Sequence, residues 1–183
     1  MSGNSAAVRL EGLTERNFTG HSLDGFVRHQ EVTQCWRCVD RQWTLLPIRF
    51  TEDWDLAECR RIAKHIAEGL SAGSIVGFGA FDGEAVVGYI TVGTARFGSK
   101  GQYVQIVEFE VSEGYRGRKI GKRLFALGCG AASALGAEKL YISAHSSMES
   151  QAAYRALGCV HAQEINAALA QAEPCDVQME YRL

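Results

Sequence analysis

The sequence predicts a mixed α/β domain, and three stretches carry that prediction. Residues 104–111 alternate β-branched or aromatic residues with polar ones, as a half-buried strand does, with Phe109 and Val111 on one side and Glu108 and Glu110 on the other. Beyond a turn at 112–115 the period changes. Ile120, Leu124, Leu127, Gly128, Ala131 and Leu135 recur at three- and four-residue steps, which is one face of a helix, and Gly136 supplies its C-cap. The third stretch is Asp82-Gly83, a strong hairpin signal because it separates two apolar, strand-like runs, 74–81 and 84–95. With 183 residues, 46% of them hydrophobic and 22% charged, the chain can bury a core and is expected to form one domain over 1–183.

From the start of the chain, residues 1–6 are small and polar and read as a frayed terminus. Residues 8–13 read as a first strand or a lead-in to one. Residues 15–29 read as partly helical, broken near Gly20 and Gly25. The segment 31–50 crowds Val32, Cys35, Trp36, Val39, Trp43, Leu45, Leu46, Ile48 and Phe50, with Asp40-Arg41 as a hairpin tip that lacks the usual glycine. Trp36 and Trp43 either line a substrate pocket, where aromatic faces hold cations and apolar bodies, or pack as local core. Thr51-Glu52-Asp53-Trp54 reads as a helix start with acids in its first turn, followed by Leu56, Cys59, Ile62, Ala63, Ile66 and Leu70 at helical spacing. His65 falls on that helix as a structural or exposed residue. Later come a strand at 139–144, a helix at 147–157 ended by Gly158, a strand from 159, a short helix within 165–172 and a final strand at 177–183. Pro174 lies just before the last strand, where proline is tolerated.

Bulk properties exclude several classes. The net charge of −2 argues against binding nucleic acid by bulk charge. No apolar run approaches the ~20 residues that span a bilayer. The N-terminus lacks the regions of a signal peptide, so the six cysteines are expected to be reduced thiols in a cytoplasmic protein. Cys35-Trp36-Arg37-Cys38 is a lone CxxC without a second pair or histidines at finger spacing, and no metal site is expected.

The turn between strand and helix carries the chemistry. A helix start exposes unpaired N–H groups and the positive end of the dipole. Gly117 and Gly121 allow close approach to the backbone, and Arg116, Arg118, Lys119, Lys122 and Arg123 add cations. This is an anion site suited to a pyrophosphate; the plainer alternative is a helix start with a solvated basic rim. A Walker A loop would need glycine at Arg116 and Ser or Thr at Arg123. A Rossmann fingerprint at Gly77-Phe78-Gly79 would need its third glycine at Asp82, and a strand-like stretch follows instead of a helix.

These residues resemble the GNAT acyl-CoA-dependent N-acetyltransferases. The family's pyrophosphate loop, Arg/Gln-x-x-Gly-x-Gly/Ala after a strand ending apolar-x-Val, is matched at Arg116, Gly121, Phe109 and Val111, with Lys119 where the first glycine usually stands. A second signature, Tyr-x-x-x-Gly-Phe, reads Tyr154-Arg155-Ala156-Leu157-Gly158-Cys159, and Ser147 takes the place of a frequent upstream Asn. The resemblance covers about 74–183, making 14–50 an N-terminal elaboration. It implies a mixed, mostly antiparallel central sheet with flanking helices, in which the strands at 102–112 and 139–144 are parallel and splayed.

The resemblance also implies an acetyl-CoA-dependent acyltransferase. The backbone of Phe109 and Val111 would bind the pantetheine arm, and 116–122, including Ile120, would hold the pyrophosphate, with Ser147 and Tyr154 nearby. Val111 could polarise the thioester carbonyl, and Tyr154 would protonate the leaving thiolate. Glu108 and Glu110 are the base candidates, Glu108 favoured, with His145 behind them; both carboxylates could instead bind a cationic acceptor or face solvent. The expected partners are acetyl-CoA and an amine, with a homodimer among the allowed assemblies. A non-catalytic acyl-CoA sensor and a protein-modifying acetyltransferase are the competing readings.

Overall fold

The structure is a computed structural model that describes residues 7–183; the segment 1–6, read above as frayed, lies outside the described residues. The Asp82-Gly83 turn joins β6 (Ile75–Asp82) to β7 (Ala85–Gly93), and the organising strand is β8 (Tyr103–Val111). Around them seven strands make one sheet. Its remaining members are β1 (Arg9–Gly12), β9 (Lys139–Ala144), β10 (Val160–His161) and β11 (Val177–Arg182), and the order is β1-β6-β7-β8-β9-β11-β10. Every pairing is antiparallel except β8 with β9. That parallel ladder joins only Tyr103–Gln105 to Lys139–Tyr141. Beyond it the two strands continue without pairing to each other, so they part toward their C-terminal ends, as the splayed-strand expectation required.

Helices cover both faces. Helix α2 (Ile120–Ala134) buries Ile120, Leu124, Phe125, Gly128 and Ala132 in a core with Ile90, Val92, Val104 and Ile106. Helix α1 (Leu56–Ser71) buries Cys59, Ile62, Ala63 and Ile66 on the opposite face, with Leu13, Phe18, Leu23, Phe26 and Tyr89. Strand β7 is therefore buried on both sides, which explains why Val86-Val87-Gly88-Tyr89-Ile90 reads as a continuous apolar run. Gly128 lets α2 lie close to the sheet: a Cβ there would meet Ile90 Cδ1 at 2.7 Å. Helices α3 (Met148–Leu157) and α4 (Ala167–Ala172) complete the set.

The N-terminal elaboration forms two ribbons, β2 (His29–Val32) with β5 (Phe50–Asp53) and β3 (Cys35–Val39) with β4 (Gln42–Leu46). Asp40 and Arg41 make the β3–β4 turn at φ 48° and 65°, the doubly positive geometry of a two-residue hairpin, achieved without glycine. Cys35 is buried and Cys38 exposed, and both thiols are free.

Two expectations are corrected. Residues 15–28 form turns and irregular chain, not a helix, and His29 begins β2; Phe18, Leu23 and Phe26 reach the core without helical periodicity. Thr51, Glu52 and Asp53 belong to strand β5, and the helix starts at Leu56 with Asp55 as its N-cap, accepting from the Glu58 N–H at 2.8 Å. Pairing with β2 outweighs the local helix-start pattern, and Asp55 supplies the cap that Thr51 was expected to give. Among the described residues no helix is long and apolar enough to cross a membrane.

Candidate active site

The site begins with an irregularity in β8. Val92 pairs with Ile106 but Thr91 pairs with Glu108, so Val107 is an extra residue. Thr91 fills the bulge: its Oγ1 accepts from the Glu108 N–H at 3.0 Å. The bulge resets the alternation of the strand. Ile106 faces α2, and so do Phe109 and Val111; Glu108 and Glu110 face the α1 side, opposite Thr91 and Tyr89. Two consecutive functions thus lie on the two sides of one strand, as the alternation in the sequence implied.

On the α2 side, a cleft of about 360 Å³ is lined by Val111, Tyr115, Arg116, Gly117, Lys119, Ile120, Gly121 and Lys122. Lys119 takes a left-handed conformation at φ 63° immediately before the helix, so a lysine adopts what the family's glycine would provide freely. A Cβ built on Gly121 would find only ordinary contacts, 3.7 Å to Phe109 Cζ and Val111 Cγ2. The protein's own packing does not demand a glycine there; its absent side chain leaves space above the helix start for a ligand. Exposed N–H groups, room and cationic side chains together fit a pyrophosphate.

The basic residues divide their work. Arg116 is spent on the chain itself: Nε donates to the Val111 carbonyl at 3.0 Å and Nη1 to the His29 carbonyl at 2.8 Å. Arg118 lies outside the cleft lining and stacks on the Tyr115 ring at 4.8 Å. Lys119 and Lys122 are exposed at the cleft itself. Ser147 is fully buried, and its hydroxyl caps α3 by accepting from the Ser150 N–H at 3.2 Å. Tyr154 is half-buried on α3 with its ring edge-on to Phe109, centroids 6.2 Å apart. Burial, followed by the nearby Glu110 charge, drives its phenol well above the ordinary value, so it is protonated at any working pH.

On the α1 side, burial raises the Glu108 carboxyl to about 7, helped by the charge of Glu110. Burial raises Glu110 also, opposed by the guanidinium of Arg28. Arg28 is 5% exposed and bridges two carboxylates, with Nη2 2.7 Å from Glu52 Oε2 and Nε 3.1 Å from Glu110 Oε1. The Tyr89 hydroxyl is buried without a partner. His145 lies at the rim, Nε2 3.9 Å from Glu52. Sequence reasoning missed Arg28, Glu52 and Tyr89. No motif marks them; they meet only through the β2–β5 and β7–β8 pairings.

Trp36 packs against the α2-side core with Arg155 over its ring at 4.8 Å, and the exposed Trp43 stacks on His161 with centroids 5.3 Å apart.

Splayed parallel strands, a glycine-containing helix start after one of them and a titratable carboxylate across that strand make up the site. The chain belongs to the GNAT acetyltransferase family: the family model described as Acetyltransferase (GNAT) family matches residues 36–159, starting within the N-terminal elaboration and earlier than the motifs alone indicated. No curated protein sequence matches it. Among solved structures, nourseothricin acetyltransferase superposes with a TM-score of 0.71 at 15% identity, over 97% of this chain and 99% of that one. A putative streptothricin acetyltransferase from Bacillus anthracis str. Ames, solved with acetyl coenzyme A, gives 0.66 at 14% identity, over 97% and 98%. IAA acetyltransferase from Bacillus cereus ATCC 14579 gives 0.56 at 16%, over 97% and 100%. At these identities the likeness is one of fold, and it runs the length of the chain, ribbons included.

Proposed function

We propose that the protein transfers the acetyl group of acetyl-CoA directly to a primary amine of a small-molecule acceptor. The observation that carries this reading is the two-sided strand β8, with a cation-lined cleft of about 360 Å³ at its end on one side and a half-buried carboxylate, Glu108, pushed up to about 7, on the other. The fold neighbour solved with acetyl coenzyme A supports the choice of donor.

In this reading the loop from Gly117 to Lys122 holds the pyrophosphate through the first N–H groups of α2, with Lys119 and Lys122 as counter-charges. Arg116 shapes the loop from behind. The acceptor arrives as an ammonium on the α1 side, attracted by Glu108 and Glu110, and Glu108 takes its proton. The nitrogen lone pair then attacks the thioester carbonyl, whose oxygen is polarised by the backbone near Val111. Collapse breaks the C–S bond; the phenol of Tyr154 gives the departing sulfur its proton and is reprotonated by the proton that the acylated nitrogen sheds, leaving the amide and the free thiol. A carboxyl titrating near 7 suits the first step, because about half of it is ionised at neutral pH and it is still basic enough to accept a proton.

The test is thiol release from acetyl-CoA against amines, amino acids, polyamines, aminoglycosides and streptothricins, with the acetylated product identified by mass. Turnover with at least one amine is expected. Tight acetyl-CoA binding with no thiol released from any of them would overturn the proposal in favour of a sensor.

A further inference from the structure

Glu108 and Glu110 share one face of β8, yet their surroundings differ. Glu110 is met by Arg28 at 3.1 Å, and the same guanidinium holds Glu52 at 2.7 Å. Among the described residues Glu108 has no such partner. The nearest cation on α1 is Arg61, which is engaged twice by Glu58 on its own helix, at 2.8 and 2.6 Å. From β7, Tyr89 faces both glutamates with an unpartnered, buried hydroxyl. The remaining charged groups around Glu110 are Arg116 in the loop and Glu52, with His145 beyond Glu52.

The segment that delivers Arg28 is itself pinned across the splayed strands. The Val27 N–H donates to Ser112 Oγ at 3.1 Å, and the Glu113 N–H donates to the Val27 carbonyl at 2.9 Å, both at the end of β8. The His29 carbonyl receives Arg116 from the cofactor loop, and Gln30 Nε2 donates to Ser147 Oγ at the head of α3, 3.1 Å away. Arg28 projects from this strap into the interior and packs over Trp54, 5.9 Å from its centroid; its Nη1 is buried without a hydrogen-bond partner, and its Nε meets Glu110 as an ion pair outside hydrogen-bond geometry. A buried guanidinium with an unsatisfied donor is a poor stabilising element, and an apolar residue would serve packing better. Its placement makes sense as a constraint on the carboxylates.

We propose that Arg28 is a positioning residue for acetyl transfer, clamping Glu110 together with Glu52 so that Glu110 is a fixed counter-charge and Glu108 is the carboxylate left free to take the acceptor's proton. The inference rests on the acetyl-transfer reading above. It names a division of labour between two adjacent acids that the strand alone leaves equivalent, and it gives the N-terminal strap a role at the reaction centre.

The test uses Arg28→Gln and Arg28→Lys in the full chain, with two readouts. The first needs no turnover: ¹³C-carboxyl NMR of glutamate-labelled protein, with Glu108→Gln and Glu110→Gln to assign the two resonances. Loss of the guanidinium removes the charge that favours ionised Glu110, so its midpoint rises in Arg28→Gln and stays near the parent's in Arg28→Lys. The second is the pH profile of kcat/KM. The parent's acid limb is set by one proton, on Glu108; in Arg28→Gln two coupled carboxyls titrate and the limb takes two-proton character. The kcat value falls in both variants, by about 10²-fold when the clamp is lost, the scale of a roughly 1 Å misplacement, with KM for acetyl-CoA little changed. An unmoved Glu110 midpoint in Arg28→Gln overturns the proposal, whether or not an acceptor has been found, and so is distinct from failure of the acetyl-transfer reading. If Arg28→Gln does not fold, Arg28→Lys decides: a parental kcat in that variant overturns the clamp.

Discussion

Glu108 trades stability for chemistry, and the trade has a sign. Its carboxyl is raised from 4.5 to about 7 by burial and by Glu110. Between those values the folded protein binds more protons than the unfolded chain, so stability is fullest in acid and is lost as pH rises through 7. The predicted consequence is that Glu108→Gln stabilises the protein at pH 8, by on the order of 3 kcal/mol, and hardly at all at pH 4.5. Melting curves at the two values check it; a Tm difference of the same size at both would remove the raised carboxyl from the account. Tyr154 is the opposite case: in the proposed reaction its polar tip matters more than its packing. Tyr154→Phe keeps the ring on Phe109, so Tm and acetyl-CoA affinity should hold, while single-turnover rates fall by roughly 10²–10⁴-fold. The loss should shrink with a thioester whose thiolate leaves more easily. A lower Tm with parental chemistry would make Tyr154 a helix anchor. Both residues stood out in the sequence because each lies in a local pattern. Arg28 did not: its partners, Glu52 and Glu110, are far along the chain, and one arginine among turn residues carries no local mark.

At the scale of the element, the start of α2 and the loop before it decide whether a phosphate can sit there. Gly121→Val should fold, because the nearest atoms to a new Cβ are at 3.7 Å, yet it should weaken acetyl-CoA binding by filling the space above the helix start. Calorimetry on the folded variant checks this, and unchanged affinity would move the phosphate site elsewhere. Lys119→Gly should leave Tm nearly unchanged: relief of left-handed strain, about 1 kcal/mol, offsets the greater chain entropy of glycine, roughly 0.5–1 kcal/mol. The loop and helix were legible because a basic, glycine-containing turn between a period-2 and a period-3.6 stretch is a local signal. The helix expected from Thr51 was wrong by one element for the converse reason. Local acids suggested a first turn, but residues 50–53 find a strand partner in 29–32, and sequence separation hides that pairing.

Across the whole molecule, the architecture follows from one parallel pair in an otherwise antiparallel sheet. The crossover through α2 forces β8 and β9 parallel, and their ladder stops at Gln105 and Tyr141. The bulge at Val107 then resets the alternation, so that Phe109 and Val111 share the side of Ile106 and the acids take the other. The crossover was readable from the order strand, helix, strand. The end of the ladder came from family likeness and not from any residue, and the bulge left no trace, because Val107 looks like any β-branched strand residue. The ribbons were read as an add-on; in the structure the β2–β5 ribbon sets Glu52 beside Arg28 and Glu110 and is tied to the loop through His29 and to α3 through Gln30.

The most direct test of the central claim is the rate of thiol release as a function of pH, with saturating acetyl-CoA and whichever amine proves active, for the parent protein and Glu108→Gln. The account predicts a parent profile that rises to a plateau with a midpoint about 7, following the Glu108 carboxyl, and a Glu108→Gln variant that binds acetyl-CoA normally but lacks that limb and most of the rate. A Glu108→Gln protein with the parent's rate and the parent's acid limb would contradict it.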